Sequence, residues 1–204
     1  MKWSIFGFLL KKRNRLKEAK RCLSRVLTAF ESRYGMTHRR ALLVAHMLAS
    51  AYDWEELSQV SRSELLYKRA IEGYEQTEGP EFSRIFYSLR RLGELYYTQN
   101  TLDEAEHVLK RSLEGWRKVK GWKHPETVHA TTHLGRFYRK QNKNDQFEQL
   151  MKQGIERFKE SEAEGSRVCN MMYNLSLFYE QNNRLEEAEA MMKRALATRE
   201  LGLS

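Results

Sequence analysis

The sequence predicts an all-α protein, a right-handed α-solenoid of about five helix-turn-helix repeats, on three observations. Only 2 prolines and 11 glycines occur among 204 residues, so few hairpin or strand-to-helix turns are available. A five-residue block recurs about every 42 residues, and apolar residues in and around it follow a helical period. One helix pair cannot bury its apolar face alone, so stacked pairs are needed to form a continuous core.

The recurring block ends at residues 10, 52, 96, 138 and 179, with steps of 42, 44, 42 and 41 residues. In the third unit it reads Leu92-Gly93-Glu94-Leu95-Tyr96. Two further segments complete that unit, Leu102-Asp103-Glu104-Ala105-Glu106 and Lys110-Arg111-Ser112-Leu113. Similar segments occur in the fifth unit. We therefore expect one repeat domain over the whole chain, with these approximate repeats: 1–37, 38–79, 80–123, 124–165 and 166–204.

The first helix of each unit carries one core stripe with a small residue in it. Leu89, Leu92, Gly93 and Tyr96 fall at i, i+3, i+4 and i+7, one face of a helix. Glycine costs about 1 kcal/mol against alanine inside a helix, so Gly93 is expected where a neighbouring helix approaches closely. The same slot holds Gly7, Ala49, Gly135 and Ser176, and an equivalent slot in the second helices holds Ala19, Ala105 and Ala188.

Trp3-x2-Phe6-Gly7-x2-Leu10, followed by Ala19, resembles the tetratricopeptide repeat signature. The long repeat step and the segment His124-Pro125-Glu126-Thr127 resemble the kinesin-light-chain class of these repeats. The resemblance covers about residues 1–200 and has two departures. Two extra residues lie near Asp53, and the fourth unit has Asn144 where leucine is expected and Phe147 where a small residue is expected.

The resemblance implies that the first helices line a concave groove that binds a short peptide of a partner protein. In the second unit this face would present Leu43, His46, Ser50 and Asp53. The later units give the candidate groove residues Tyr87, Arg90, Glu94, Tyr97, His129, Thr132, Arg136, Arg139, Asn170, Tyr173 and Asn174. Arginine grips carboxylates and tyrosine offers flat apolar area with a polar end, so an acidic peptide with hydrophobic anchors is expected. A merely solvated face is the alternative.

The net charge of +9 suggests a second surface. Residues 1–40 hold 12 basic and 2 acidic side chains, so the rest of the chain is nearly neutral. The basic patch comprises Lys11, Lys12, Arg13, Arg15, Lys17, Lys20, Arg21 and Arg25. Aromatic residues do not alternate with these cations as they do in single-strand binders, which argues against nucleic acid as a partner. An RNA backbone or another anionic surface stays open as an alternative to a solvated end.

No pattern in the sequence indicates an enzyme, a metal site or a cofactor. His129 and His133 are spaced like two zinc ligands on a helix, but no glutamate lies between them and no third ligand is evident. Cys22 and Cys169 lack an activating partner, and we expect them to be buried in a protein of a reducing, cytoplasmic compartment.

Residues 2–10 contain an apolar stretch of eight residues, too short for a membrane span and lacking a cleavage site. The repeat register passes through this stretch, which favours the first helix of the first repeat over a signal sequence. The first and last helices would lack covering neighbours, so we expect the chain to be a piece of a longer array or to be covered by a partner. Such an array would be a protein-interaction adaptor or a regulatory segment of a multidomain protein.

Overall fold

A computed structural model describes residues 16–53, 60–158 and 165–201 of the chain. These residues form nine α-helices and no strand, which confirms the predicted all-α repeat fold. The helices are α1 (Leu16–Tyr34), α2 (Arg39–Tyr52), α3 (Val60–Glu78), α4 (Ser83–Thr98), α5 (Leu102–Lys120), α6 (Pro125–Lys140), α7 (Asn144–Phe158), α8 (Gly165–Gln181) and α9 (Leu185–Leu201). The apolar stretch at residues 2–10 lies outside the described residues. In the part that is described, no helix is long and apolar enough to cross a membrane.

The chain divides into two compact units, Met1–Val108 and Leu109–Ser204. In the first unit α2 packs against α1 and α3, and α3 packs against α4. In the second unit α7 packs against α6 and α8, and α8 packs against α9. Consecutive helices are therefore neighbours within each unit, as expected of stacked helix hairpins.

The turn from a first to a second helix has the same geometry three times. Asn100, Asn142 and Asn183 adopt positive φ values of 63°, 54° and 58°. The backbone N–H of the next residue reaches back to the carbonyl of Tyr96, Tyr138 or Tyr179 at 2.9–3.0 Å. Asparagine tolerates this left-handed conformation, and the bonds satisfy carbonyls at the end of the preceding helix. Each hairpin is thus closed by its own local sequence.

The turn into the next first helix uses glycine and a histidine cap. Gly35 and Gly121 have φ values of 90° and 77°, which disfavour any residue with a side chain. Three residues later, Nδ1 of His38 or His124 accepts a hydrogen bond from the backbone N–H two residues on, at 3.2 and 3.3 Å. Pro125 follows His124 at the first helical position, where its missing N–H costs nothing. The His-Pro segment of the sequence is therefore a helix-initiation signal.

The predicted core stripe of the third repeat is confirmed. Leu89, Leu92, Gly93 and Tyr96 are all buried along α4. The small slot is confirmed most directly at Gly135, where a Cβ atom would lie 2.5 Å from Cε of Met151 and 3.4 Å from the ring of Phe147. Of the alanines predicted for the second helices, Ala105 is fully buried, whereas Ala19 and Ala188 are only partly buried.

The unexpected Phe147 is accommodated without a break in α7. Its ring is buried and meets Phe178 edge-on, with the ring centroids 5.0 Å apart. Gly135 lies beside it on α6 and leaves the volume that the larger side chain occupies. The fourth repeat thus has a large residue in the second-helix slot beside the small residue of its first helix, and its interior stays close-packed.

Candidate functional site

The candidate groove residues of α4, α6 and α8 all lie at least partly open to solvent, which agrees with their placement outside the core stripe. On α4 Tyr87, Arg90, Glu94 and Tyr97 are half-buried. On α6 and α8 the exposed residues are His129, Arg136, Asn170 and Tyr173, and the half-buried ones are Thr132, Arg139 and Asn174. The α4 residues belong to the first unit, and the α6 and α8 residues belong to the second unit.

In the first unit, the row predicted on α2 is engaged in a polar network centred on Asp53. The Asp53 carboxylate accepts hydrogen bonds from Ser63 and from the Tyr67 hydroxyl of α3, the latter at 2.6 Å. Nη2 of Arg91 on α4 lies 3.1 Å from the same carboxylate. Ser50 hydrogen-bonds the Tyr67 hydroxyl at 2.9 Å. Residues of α3 and α4 therefore converge on a carboxylate at the C-terminal end of α2.

The network lies in a largely buried environment. Tyr67 is fully buried, and only 11% of the Asp53 side chain is exposed. Burial raises the pKa of Asp53, although the hydrogen bonds from Ser63 and Tyr67 and the charge of Arg91 oppose this effect. A buried carboxylate is costly unless it is paired and hydrogen-bonded, so the network serves first to join α2, α3 and α4.

His46 of the same row packs between α3 and α4. Its Nδ1 lies 2.8 Å from the hydroxyl of Ser88, and its ring meets the Tyr67 ring edge-on at 5.5 Å. Burial, together with the nearby guanidinium of Arg91, lowers the pKa of His46 to about 4. Ser88 is fully buried and its hydroxyl also donates to the carbonyl of Arg84, so the Ser88 hydroxyl is engaged inside the first unit.

The charges on α4 are matched to one another. Nη1 of Arg90 lies 2.6 Å from one oxygen of Glu94, and Nη1 of Arg91 lies 2.8 Å from the other. Arg90, which we predict to bind an acidic peptide, therefore already has a carboxylate partner within its own helix. An incoming acidic group would have to compete with Glu94.

The second unit presents a different surface. Arg136 and His129 are exposed on α6, and Tyr173 is exposed on α8. Arg139 joins the two helices, because its Nη2 donates to the side-chain oxygen of Gln181 at 2.7 Å and its guanidinium lies over the Phe147 ring at 5.7 Å. This α6–α8 face combines a solvent-facing guanidinium with an exposed phenol ring.

A second contact set occurs twice, once in each unit, between a second helix and the first helix that follows it. In the first unit Glu64 accepts a hydrogen bond from the Tyr96 hydroxyl at 3.0 Å, and Lys68 pairs with Glu64 at 2.7 Å. In the second unit Tyr179 donates to Glu148 at 3.1 Å, and Lys152 pairs with Glu148 at 2.6 Å. The lysine ammonium lies over the tyrosine ring in both cases, at 5.8 and 5.9 Å. We call this arrangement the Glu–Lys–Tyr contact.

Our sequence analysis missed the Glu–Lys–Tyr contact. The signal was present, because each glutamate precedes its lysine by four residues and each tyrosine closes the recurring block. In the second unit Arg184 strengthens the set with a bidentate pair to Glu148, at 2.6 and 2.9 Å. The hydrogen bonds from Arg184 lower the pKa of Glu148 to about 2.

The basic patch is only partly within the described residues. Lys11, Lys12, Arg13 and Arg15 lie outside them, whereas Lys17, Arg21 and Arg25 are exposed on α1 and Lys20 is half-buried. Burial, followed by the charges of Lys17 and Arg62, lowers the pKa of Lys20. Positive charges thus crowd together at this end of α1.

The prediction that both cysteines are buried is wrong for Cys22, which is exposed on α1. Cys169 is half-buried, its Sγ lies 3.2 Å from the Ala195 carbonyl, and burial raises its pKa. His129 is exposed and His133 is half-buried. Within the described ranges, no three His, Cys, Asp or Glu side chains cluster as metal ligands would.

Sequence models of the tetratricopeptide repeat match residues 84–160 and residues 168–203, together more than half of the chain. The chain is a tetratricopeptide-repeat protein. Tetratricopeptide repeats form protein-interaction scaffolds, so the described hairpins are a protein-interaction repeat scaffold. No match was found among characterised proteins compared by sequence.

Solved structures share this tetratricopeptide fold at low sequence identity. The TPR-like repeats of a candidate kinesin light chain from Podosopora anserina are 19% identical, with a TM-score of 0.78 over 96% of this chain and 92% of that chain. BtubC (BKLC) from P. vanneervenii is 17% identical, with a TM-score of 0.76 over 96% of this chain and 78% of that chain. MamA is 17% identical, with a TM-score of 0.60 over 93% of each chain. The expected similarity to kinesin-light-chain repeats is thus confirmed at the level of the fold.

Proposed function

We propose that this tetratricopeptide-repeat protein is a non-catalytic adaptor that binds an acidic peptide of a partner protein on its first helices. The observation that carries the proposal is the α6–α8 face of the second unit. There Arg136 projects into solvent, and Tyr173 is 49% exposed although it is a large aromatic residue.

This pair of side chains suits a peptide with both a carboxylate and an apolar anchor. A guanidinium can hold a carboxylate through two parallel hydrogen bonds. A tyrosine ring offers flat apolar area, and its hydroxyl can satisfy a polar group of the peptide backbone. Arg139 is held by Gln181 and Phe147. Its side chain therefore contributes positive potential to the face but has little freedom to move toward a peptide.

The first unit contributes less to acidic recognition in this proposal. Arg90 and Arg91 share Glu94, and Arg91 also holds Asp53. These charges are largely compensated before any partner arrives, so we do not assign the acidic peptide to the α4 row. Within the second unit we therefore assign charge selection to Arg136 and apolar contact to Tyr173.

The test is affinity capture of partners with the full chain, identification of the bound segment, and calorimetry with that peptide. Arg136→Glu should weaken binding about tenfold or more, because it places a carboxylate where the peptide carries one. Arg157→Glu makes the same charge change on the exposed end of α7 and should leave the affinity within about twofold.

Two outcomes would contradict the proposal. Equal affinities of the Arg136→Glu and Arg157→Glu variants would exclude the α6–α8 face. RNA binding would also contradict it, if added salt abolishes that binding and an Arg21→Glu, Arg25→Glu double variant lacks it. Such a result would assign the main binding activity to the basic patch.

A further inference from the structure

The turn between α1 and α2 is held in one conformation by contacts along its length. Gly35 has a φ of 90°, and its backbone N–H donates to the Glu31 carbonyl at 2.9 Å. Arg69 on α3 pairs with the Glu31 carboxylate at 2.5 Å, and its Nη2 donates to the Met36 carbonyl at 3.1 Å. The cap formed by His38 fixes the far end of the turn. The backbone of this turn is therefore positioned before any partner binds.

Two large apolar side chains on this fixed turn face solvent. Met36 is 60% exposed and Tyr34 is 41% exposed. They lie on either side of the turn glycine, where the next two turns of this kind carry other residues, Glu78 and Lys120 before the glycine and Pro80 and Trp122 after it. Because those turns have a charged residue before the glycine, the turn geometry does not require an exposed phenol ring there.

Arginines surround the two exposed apolar side chains. The guanidinium of Arg33 lies over the Tyr34 ring, 5.5 Å from its centroid. The side chain of Arg39 is 60% exposed, and its Nε is 3.9 Å from the Glu78 carboxylate, which is too long for a hydrogen bond. Arg40 is exposed as well. The turn thus places three guanidinium groups beside an exposed ring and an exposed thioether.

An excess of positive charge lies at this turn. Residues 33–40 contain three arginines and no acidic residue. Arg39 and Arg40 begin α2, and the first turn of this helix has no acidic side chain, whereas that of α6 has Glu126. The helix dipole favours a negative group at this position and disfavours a cation. A carboxylate brought by a partner is therefore stabilised by the arginines and by the helix dipole together.

We propose that the α1–α2 turn is a second protein-binding surface, which takes an acidic segment of a partner that also carries a large apolar side chain. We call it the turn surface, formed by Arg33, Tyr34, Met36, Arg39 and Arg40. The apolar side chain of the partner covers Met36 and Tyr34, and its carboxylates pair with the arginines. Tyrosine, methionine and arginine are enriched at protein interfaces, and the flexible methionine side chain adapts to differently shaped partners. The turn surface lies in the first unit, so this inference does not depend on peptide binding by the α6–α8 face.

The chemistry of the turn surface favours a protein segment over other anionic occupants. A phosphate backbone would pair with the arginines and leave Met36 uncovered. Binding to a bilayer strengthens with the apolar area that enters it, and two partly exposed side chains supply little such area. A second copy of the turn would bring arginines against arginines, which repel one another. An acidic segment with an apolar side chain satisfies both the charges and the exposed apolar atoms.

The test uses the full chain and a fluorescently labelled synthetic peptide in which glutamates flank a central tryptophan. Binding is followed by fluorescence anisotropy in an Arg136→Glu background, which removes the charge assigned to the α6–α8 face. Met36→Ser and Arg40→Glu are each added to this background. Leu65→Ser is the matched control for the loss of an exposed apolar side chain, since Leu65 is 68% exposed on α3. Arg157→Glu is the matched control for the charge change.

We expect the peptide to bind the background protein. Met36→Ser should weaken this binding about fivefold, because a part of the apolar contact is lost. Arg40→Glu should weaken it about tenfold, because it places a carboxylate opposite those of the peptide. The two control variants should stay within about twofold of the background. A peptide with alanine in place of tryptophan should bind the background about fivefold more weakly, since it lacks the apolar side chain.

Failure of the peptide to bind the Arg136→Glu background would overturn the proposal, and binding to the wild type alone would then assign the peptide to the α6–α8 face. Equal affinities of the Met36→Ser and Leu65→Ser variants would overturn it as well. Sedimentation with phosphatidylserine vesicles addresses the lipid alternative. Vesicle binding that Met36→Ser abolishes, together with weaker binding of the peptide, would assign the turn surface to a membrane and overturn the proposal.

Discussion

Acidification should destabilise the protein through His46, which packs between α3 and α4. In the unfolded chain this histidine takes up a proton near its ordinary pKa of 6.5, whereas in the folded protein burial and nearby arginines lower its pKa to about 4. Between these values the unfolded chain binds more protons, so the free energy of unfolding falls as the pH falls. The stabilising contribution is fully present above about pH 6.5 and is lost as the pH drops to about 4.

The difference of about 2.5 pKa units sets a ceiling of roughly 3.4 kcal/mol for this effect. At pH 5 the same linkage gives a loss of about 2 kcal/mol relative to pH 7. Urea unfolding at a series of pH values measures the loss, and an NMR titration of the His46 ring measures its pKa directly. His46→Asn removes the titrating group. In this variant the free energy of unfolding should fall by about 2 kcal/mol less between pH 7 and pH 5 than in the wild type.

A Ser88→Ala variant is the matched control, because it removes the hydrogen-bond partner of His46 and keeps the half-buried imidazole. It should retain most of the acid-induced loss, since burial is the main cause of the lowered pKa. Curves of the wild type and His46→Asn that stay parallel from pH 7 to pH 5 would refute the reasoning.

Two further predictions concern the second unit. Asn142→Gly should leave the stability nearly unchanged, whereas Asn142→Ala should lower the free energy of unfolding by about 1 kcal/mol, because residue 142 has a positive φ of 54°. Urea midpoints of the two variants measure this, and equal midpoints would contradict the role of the turn. Glu148→Gln should reduce the acid-induced loss of stability between about pH 4.5 and pH 2, because the folded protein holds Glu148 ionised down to about pH 2. A variant whose acid denaturation curve matches that of the wild type would show that the Glu148–Arg184 pair contributes nothing.

The local features of the fold could be predicted from the sequence because they repeat along it. The stripe through Leu92 and Tyr96 and the small slot at Gly135 follow from helical spacing and from the repeat step. The histidine caps at His38 and His124 follow a pattern that the sequence shows, although only the structure reveals that Nδ1 accepts the backbone hydrogen bond.

The long-range polar contacts could not be predicted in the same way. The network that joins Asp53, Tyr67 and Arg91 depends on how three helices pack, and no short spacing in the sequence encodes that packing. Our placement of Cys22 in the core failed because cysteine is usually buried, whereas this one lies on the outer side of α1. The assignment of Arg90 to an open groove did not anticipate its pairing with Glu94 one turn away.

The three asparagine turns have a consequence for how the protein folds. Each turn is closed by hydrogen bonds between residues three to five positions apart, so a hairpin can form without waiting for distant parts of the chain. Local contacts of this kind give a low contact order and fast folding, and a repeat protein can begin to fold at any one of its hairpins. A damaged turn at Asn100 or Asn183 should therefore redirect folding to start at another hairpin rather than prevent it.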